Sequence, residues 1–325
     1  MQQEIRFATF NVCNLAPAGE KLYDNLEPLS PAQYEAKAEW TARQIDLLDA
    51  DVIGFQEIFS QAALRDVLSR TRHYREATLA SHDASDAAGR MLPTVALVSR
   101  LPLAGAGVAW TNFPSGVSVP ADQHTADEQA CRFARAPLHV QVLLPGGQLT
   151  DVVVVHLKSR RPDYRHGDGS DAAAYALANL RSLQRRGAEA VALRVLASEL
   201  GRSGRPRIVL GDFNDIANAV TTSIVMGAGA PCELGMEMRE RLYDANAIQL
   251  RQDAARHGGY TNIHDSNYMT IDHILVSEHF HAASPRAIGV VQEVNCLNDH
   301  LLLGLPHASD HGQVLARIKL LGNMD

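Results

Sequence analysis

The run Arg207-Ile208-Val209-Leu210-Gly211-Asp212-Phe213-Asn214-Asp215 constrains the fold more than any other stretch of this chain. Its short apolar core reads as a buried strand, and the strand stops at a glycine. Asp212 and Asn214 follow. In extended backbone, residues two apart point the same way, so a carboxylate and an amide project together from the strand end. Open α/β sheets place their sites at such ends. A carboxylate can bind a hard cation or take a proton, and an amide donates hydrogen bonds at any pH. The same Asp-x-Asn is also the pattern of an Asx turn closing a strand, so partners elsewhere must decide.

Comparable runs recur along the chain. Ile5 to Val12 reads as a strand ending near Asn11 and Asn14. Asp51 to Glu57 is a second buried strand, and the acid at its end is costly unless a cation meets it. Leu92 to Ser99 has strand character. Leu138 to Leu144 and Leu149 to Leu157 flank the turn Pro145-Gly146-Gly147-Gln148 and read as a hairpin. Within it, Val152 to Val155 deliver His156 to a strand end. Met269 to Val276 is a further strand with Asp272 near its start. Ser309-Asp310-His311-Gly312 precedes a last strand, where Val314, Ala316, Ile318 and Leu320 alternate with Arg317 and Lys319.

Helical spacing appears in Ala38, Ala42, Ile45 and Leu48. Ser60 is placed to cap a short helix through Leu68. Ala172 to Leu200 reads as a long helix. Its apolar face runs through Leu177, Leu180, Ala188, Val191 and Val195, with Gly187 weakening it and Arg181, Arg185 and Arg186 on the exposed side. Helical patches are expected at Val220 to Met226 and Met236 to Leu242. Ser81 to Arg90 and Gly105 to Cys131 read as loops, and Tyr260 to Asn267 as turn-rich. Lys158, Arg160, Arg161 and Arg165 form a basic loop directly after His156. With no repeat, low-complexity tract or linker, residues 1–325 read as one domain.

The net charge of −7 argues against a tight, non-specific nucleic-acid binder, although a local basic run can still face a polyanion. Cys13, Cys131, Cys232 and Cys296 are widely spaced and form no Cys-x-x-Cys pair, which argues against zinc and for free thiols in a reducing compartment. No apolar signal core and no run of membrane-spanning length is present, so a cytoplasmic monomer is the expectation.

Glu57, His156, Asp212, Asn214, Asp272, Asp310 and His311 all sit at or beside ends of strand-like runs. The segments Gln56-Glu57, His156-Leu157-Lys158-Ser159, Gly211-Asp212-Phe213-Asn214, Ile271-Asp272-His273-Ile274 and Ser309-Asp310-His311, in that order, resemble the endonuclease/exonuclease/phosphatase superfamily and its DNase I-like branch. The similarity runs from Phe10-Asn11-Val12 nearly to the end of the chain. It implies a four-layer α/β sandwich: two packed, mainly antiparallel sheets flanked by helices. It also implies phosphodiester hydrolysis with Mg²⁺ or Mn²⁺, and the abundance of hard oxygen ligands agrees.

By the same resemblance, Glu57 holds the metal, with Asn11 and Asp310 nearby. Asp212 orients or deprotonates the attacking water, and Asn214 contacts the phosphate. His311 is the other base or phosphate contact, with Asp272 orienting it. His156 donates a proton or hydrogen bond at the phosphate. Arg135, in Phe133-Ala134-Arg135-Ala136-Pro137, matches an arginine that touches a substrate phosphate. One departure stands out. DNase I-like enzymes pair the histidine at the His156 position with an acid on the strand matching Leu92 to Ser99, and here Leu92-Pro93-Thr94-Val95 supplies none.

The expected substrate is nucleic acid, DNA ahead of RNA, with Lys158, Arg160 and Arg161 on phosphates flanking the scissile one. The alternative is a phosphatase or phosphodiesterase of a small phosphoester or phospholipid headgroup, which suits the negative charge and the lack of a long basic stripe. A third reading, a catalytically dead binding module, has against it a competent residue at every expected position.

Overall fold

Strands buried on both faces read as unbroken apolar runs, because alternate side chains serve two different layers. The structure, a computed structural model, is built on this pattern and describes residues 4–119, 130–164, 171–227, 240–251 and 259–322. The first strands are β1 (Glu4–Leu15), β2 (Val52–Ile58), β3 (Thr78–Ser81), β4 (Ala84–Ser85), β5 (Met91–Leu92), β6 (Thr94–Ser99), β7 (Val108–Ala109) and β8 (Leu138–Leu143). They are followed by β9 (Leu149–His156), β10 (Arg207–Asp212), β11 (Leu242–Asp244), β12 (Asn262–His264), β13 (Asn267–Met269), β14 (Asp272–Ser277), β15 (Gly289–Leu297) and β16 (Gln313–Leu320).

One sheet has the order β15-β16-β1-β2-β6-β3 and the other β11-β14-β10-β9-β8-β7. All neighbours are antiparallel except the central pair of each sheet, β1 with β2 and β9 with β10. The sheets pack face to face. Phe7, Val52, Val95 and Leu97 of the first meet Val152, Val154, Leu210 and Ile274 of the second. The alternate residues face outward. Phe10, Ile53 and Phe55 pack on Trp40, Ile45 and Leu64 of the helices Pro31–Leu48 and Gln61–Arg70. Val153, Val155 and Val209 pack on Ala190, Leu193 and Ala197 of the helix Ala172–Gly201. The result is the expected four-layer sandwich. Each fully buried side chain of this size contributes about 1.5–3 kcal/mol relative to exposure. The sheets approach closely at Gly54, where a Cβ would come 2.1 Å from Leu210 Cδ1.

Capping follows local chemistry. Ser30 and Gln33 form a reciprocal capping box at the first helix. Ser60 caps Gln61–Arg70 by accepting from Ala63 N at 3.3 Å.

Several local expectations change. Ser81 to Arg90 is not all loop: Ser81 ends β3, and β4 pairs with β5 by backbone hydrogen bonds that a polar sequence does not advertise. Within Gly105 to Cys131, Val108–Ala109 forms β7, and residues 120–129 lie outside the described residues. The turn-rich Tyr260 to Asn267 contains the β12–β13 hairpin, which separates Met269 from the strand that begins at Asp272. Leu242 begins a strand rather than ending a helix, while Met236 lies outside the described residues. The long helix turns a partly different face inward: of the expected residues Ala188 is buried and Val195 half-buried, but Leu177, Leu180 and Val191 are exposed, whereas Ser182, Arg186 and Glu189 are buried. Its neighbour there is the polar loop after His156, so polar side chains satisfy loop backbone at that contact.

Candidate active site

The two parallel central pairs bring four strand ends to one edge of the sandwich. Asn11 lies opposite Gln56 in the first sheet, and Asp212 opposite His156 in the second. On the other side of β10, Asp272 starts the antiparallel β14 directly opposite Asp212. Asn11 Nδ2 then joins the sheets by donating to Asp212 Oδ2 at 3.1 Å.

Local backbone sharpens these ends. Pairing shifts between Asn11 and Leu15 on one strand and between Gln56 and Ile58 on its neighbour. Such irregularities re-aim side chains next to sites. Cys13, Asn14 and Glu57 all take positive φ values, 55°, 61° and 62°. Glu57 thereby turns back toward Asn11, with Oε1 3.4 Å from Asn11 Nδ2 and Oε2 accepting from Asn14 N at 3.0 Å. In the second sheet Gly211 has φ +148°, and a Cβ there would lie 2.0 Å from Val155 O. Only glycine allows this approach just before Asp212 and His156.

The Asx turn is present, and the site uses it. Asp212 Oδ1 accepts from Asn214 N at 2.8 Å, leaving Oδ2 for the cluster. That oxygen lies 3.4 Å from His156 Nε2 and 3.8 Å from His311 Nε2. Asn214 sits at φ 53°, a region asparagine tolerates, and donates one amide hydrogen to Leu157 O at 3.0 Å. Its second amide hydrogen remains for a ligand. His311 Nδ1 is 2.9 Å from Asp272 Oδ2. Ser309 fixes this turn by donating to Asn11 O at 2.6 Å and accepting from His311 N at 3.0 Å.

The two histidines have opposite electrostatics. Burial alone would lower the pKa of His311, but the carboxylates of Asp272 and Asp212 outweigh it and hold that pKa well above the ordinary value. Burial drives the pKa of His156 well below it, assisted by the charges of Arg135 and His311. Its Nδ1 has no hydrogen-bond partner, and β6 supplies no acid to provide one. Burial raises the pKa of Asp212, helped by Asp272 and opposed by His311 and by hydrogen bonds from Asn214 and Asn11. His156 is thus held neutral although Asp212 Oδ2 faces its Nε2.

The remaining expected residues divide. Arg135 Nη1 donates to Leu157 O at 3.3 Å, the carbonyl that also accepts from Asn214. Lys158 turns inward, bonding Ser182 Oγ at 3.0 Å and Arg161 O at 3.2 Å. Arg160 pairs with Asp215 at 3.2 Å, while Arg161 is exposed. Arg165 lies outside the described residues. Asp310 is exposed and outside the Asp212 cluster, and its charge is felt by Cys13, Lys37 and His311.

Oxygen donors dominate, which suits a hard divalent cation. Asp212, Asp272 and His311 can present atoms all within 4.8 Å of one another. There, however, His311 Nδ1 is bonded to Asp272 Oδ2 and the ring is held cationic, which leaves it no lone pair for a metal, although Asp272 Oδ1 is buried without a partner. Glu57 with Asn11 is the second place, and among the described residues its carboxylate is held only by one long contact and one backbone N–H. Asn14 Oδ1 beside it is buried without a partner. This second corner fits the cation better.

A profile of the Endonuclease/Exonuclease/phosphatase family matches residues 8–311. The chain belongs to this family. Endonuclease/exonuclease/phosphatase proteins are phosphoester hydrolases, and solved structures from the group share the fold seen here. The family member from Bacteroides vulgatus is 16% identical, with 98% of this chain and 100% of that one covered and a TM-score of 0.59. The mannosyl-6-phosphatase of Bacteroides thetaiotaomicron is 17% identical over 97% and 99% of the two chains, with a TM-score of 0.57. The catalytic domain of human Nocturnin is 15% identical over 99% and 96%, with a TM-score of 0.59. At these identities the likeness speaks for the fold. A search of curated proteins finds no match.

Sequence reasoning missed several supporting residues. Buried Lys37 donates to Val12 O at 2.9 Å, with Cys13, Asp310 and Glu57 among the charges it feels. It supplies the cation that an acid at the end of β2 calls for. Glu189 accepts from Ala134 N at 3.0 Å and Lys158 N at 2.7 Å, tying the Arg135 segment to the loop after His156. Arg186 bonds Asp215 at 3.2 Å and Lys158 O at 3.3 Å. Charged residues in the middle of a helix carry no signal of such a role. Among the described residues Cys13, Cys131 and Cys296 are free, and no helix is long and apolar enough to cross a membrane.

Proposed function

We propose that this protein is a divalent-metal-dependent phosphodiester hydrolase, a DNase I-like nuclease acting on nucleic acid with DNA ahead of RNA. The observation that carries the chemistry is one buried carboxylate oxygen, Asp212 Oδ2, facing Nε2 of both His156 and His311, with Asp272 behind the latter. Asp212 has raised proton affinity and accepts the proton of the attacking water. His311, held cationic by Asp272, donates to a phosphoryl oxygen as charge develops there. His156 is neutral and donates a hydrogen bond from Nε2, so it positions the phosphate rather than acting as a strong acid. Asn214 adds its free amide hydrogen. Mg²⁺ or Mn²⁺ would be held by Glu57 with Asn11, where it would polarise a phosphoryl oxygen and steady the leaving oxygen.

A second reading, hydrolysis of a small phosphoester, has support from the rim. Lys158 and Arg160 are each bonded within the protein, although Arg160, like Arg161, is exposed. A screen with Mg²⁺ and Mn²⁺ over plasmid DNA, single strands, RNA, bis-p-nitrophenyl phosphate and monoesters separates the two. Hydrolysis of the nucleic acids is expected. Turnover of monoesters alone would select the second reading, and no turnover of any ester would sink both.

A further inference from the structure

A cavity of about 620 Å³ opens beside the catalytic strand ends. Its size falls within the range of about 300–1,000 Å³ typical of small-ligand pockets. Among the described residues five cations line it, Arg132, Arg135, Lys158, Arg181 and Arg185, against a single carboxylate, Asp163. Two of the five are engaged internally. Lys158 bonds Ser182 and loop carbonyls, and Arg185 pairs with buried Glu189 at 3.3 Å. Arg132 and Arg181 have no carboxylate partner among the described residues, although Arg181 Nε donates to Asp163 O at 3.0 Å. Arg135 Nε is buried without a partner.

One carbonyl connects this cavity to the chemistry. Leu157 O accepts from Arg135 Nη1 on the cavity side and from Asn214 Nδ2 on the catalytic side. A group seated among the arginines is therefore covalently within reach of a phosphate at Asn214. Concentrated, partly unspent guanidinium groups at one wall of a cavity suit a discrete, multiply charged oxyanion, because planar N–H forks match phosphate oxygens.

We propose that the cavity binds a second phosphate group carried on the same molecule as the scissile ester, so that the enzyme prefers doubly phosphorylated substrates. This rests on the phosphoesterase reading above. The second phosphate can come from an oligonucleotide end or from a small bisphosphate, and both present the same chemistry to the cavity.

The test compares a thymidine dinucleotide with and without a terminal 5′-phosphate, and a hexose bisphosphate with the hexose monophosphate. In one of the two pairs the second phosphate should lower KM by about tenfold or more, as expected for two charge-assisted contacts. That pair names the source. The variant R132A/R181A should erase the advantage and leave turnover of bis-p-nitrophenyl phosphate unchanged. If that variant fails to fold, Arg132→Glu alone, at an exposed position, should show the same loss. The proposal is overturned if neither pair shows an advantage, or if the variant loses as much on the singly charged ester. If the wild type hydrolyses no ester, the phosphoesterase reading fails by itself. Calorimetry with inorganic pyrophosphate in chelator then decides the cavity. Binding that R132A/R181A loses supports it, and unchanged binding or none overturns it.

Discussion

At the scale of single residues, the site shows how one side-chain type takes two states according to its surroundings. His311 has a carboxylate at each ring nitrogen and is held cationic, whereas His156 has a buried, unpartnered Nδ1 and is held neutral. Since the pKa of His311 is raised on folding, its pairing stabilises the fold fully below the unfolded value and is lost as pH climbs through the folded one. Activity that needs the cation should decline over the same rise. Replacing Asp272 by Asn removes the main raising charge while burial remains. We expect Asp272→Asn to lower kcat by about 10²-fold and to move the alkaline decline to lower pH. A pH profile that keeps both its height and its alkaline limb would remove Asp272 from the mechanism. Glu57 presents a different prediction, because its partners among the described residues are only an amide and a backbone N–H. An amide is a poor ligand for a hard cation, so Glu57→Gln should raise the Mg²⁺ needed for half-maximal activity by about tenfold or more. Full activity of the wild type in excess chelator would defeat the metal assignment itself.

At the scale of elements, the site is a product of strand ends. Parallel central pairs align the C-terminal ends of β1 with β2 and of β9 with β10, and the antiparallel β14 returns Asp272 to the same edge. Gly211 is the tightest point of that arrangement. A methyl group there would meet Val155 O in a backbone conformation that L side chains rarely adopt. Gly211→Ala should therefore cost at least about 2 kcal/mol, read as a lower urea midpoint, and should disturb Asp212 directly. An unchanged midpoint would mean that the two strands do not approach as described. Much of this was legible in the chain, because Val152 to Val155 and Ile208 to Leu210 announce strands and the residue after each run is polar. Asp212, Asn214, His156, Glu57 and His311 do converge, and Asp272 does meet His311. What was not legible has physical causes. The edge strand Gly289–Leu297 mixes polar and apolar residues and is held by pairing with β16, so it carries no clean period of its own. The inward face of Ala172–Gly201 is polar where it meets a loop, so the apolar period pointed partly to the wrong side. Left-handed backbone at Cys13 and Glu57 is imposed by tertiary pairing rather than by residue type, whereas Asn14 tolerates it.

At the scale of the whole molecule, the charge balance sets what the protein can hold from a distance. A net charge of −7 does not draw a polyanion in from solution, so binding of nucleic acid depends on local cations at the rim. Two of the expected rim residues are less available than their order in the chain suggested. Lys158 faces inward, and Arg160 is shared with Asp215 and with the sulfur of Met269 at 3.0 Å. Arg161 is exposed and makes no such pairing among the described residues, whereas Arg160 is exposed but paired. Each phosphate that the protein neutralises releases counterions, so the logarithm of the binding constant should fall linearly with the logarithm of salt. In a catalytically silent Asp212→Asn form, binding of a DNA duplex should weaken steeply with salt. Replacing Arg161 by Ala should then flatten the slope by roughly one unit, while Arg160→Ala, which also releases Asp215, should add a loss of stability. The comparison also weighs the two substrate classes against each other. A groove for polynucleotide spreads its contacts along several phosphates and gives a slope that depends on the rim. A cavity for a small bisphosphate concentrates its contacts at Arg132 and Arg181 and leaves the Arg161 variant with the wild-type slope. A flat response, or no duplex binding at low salt, would assign the protein to small phosphoesters.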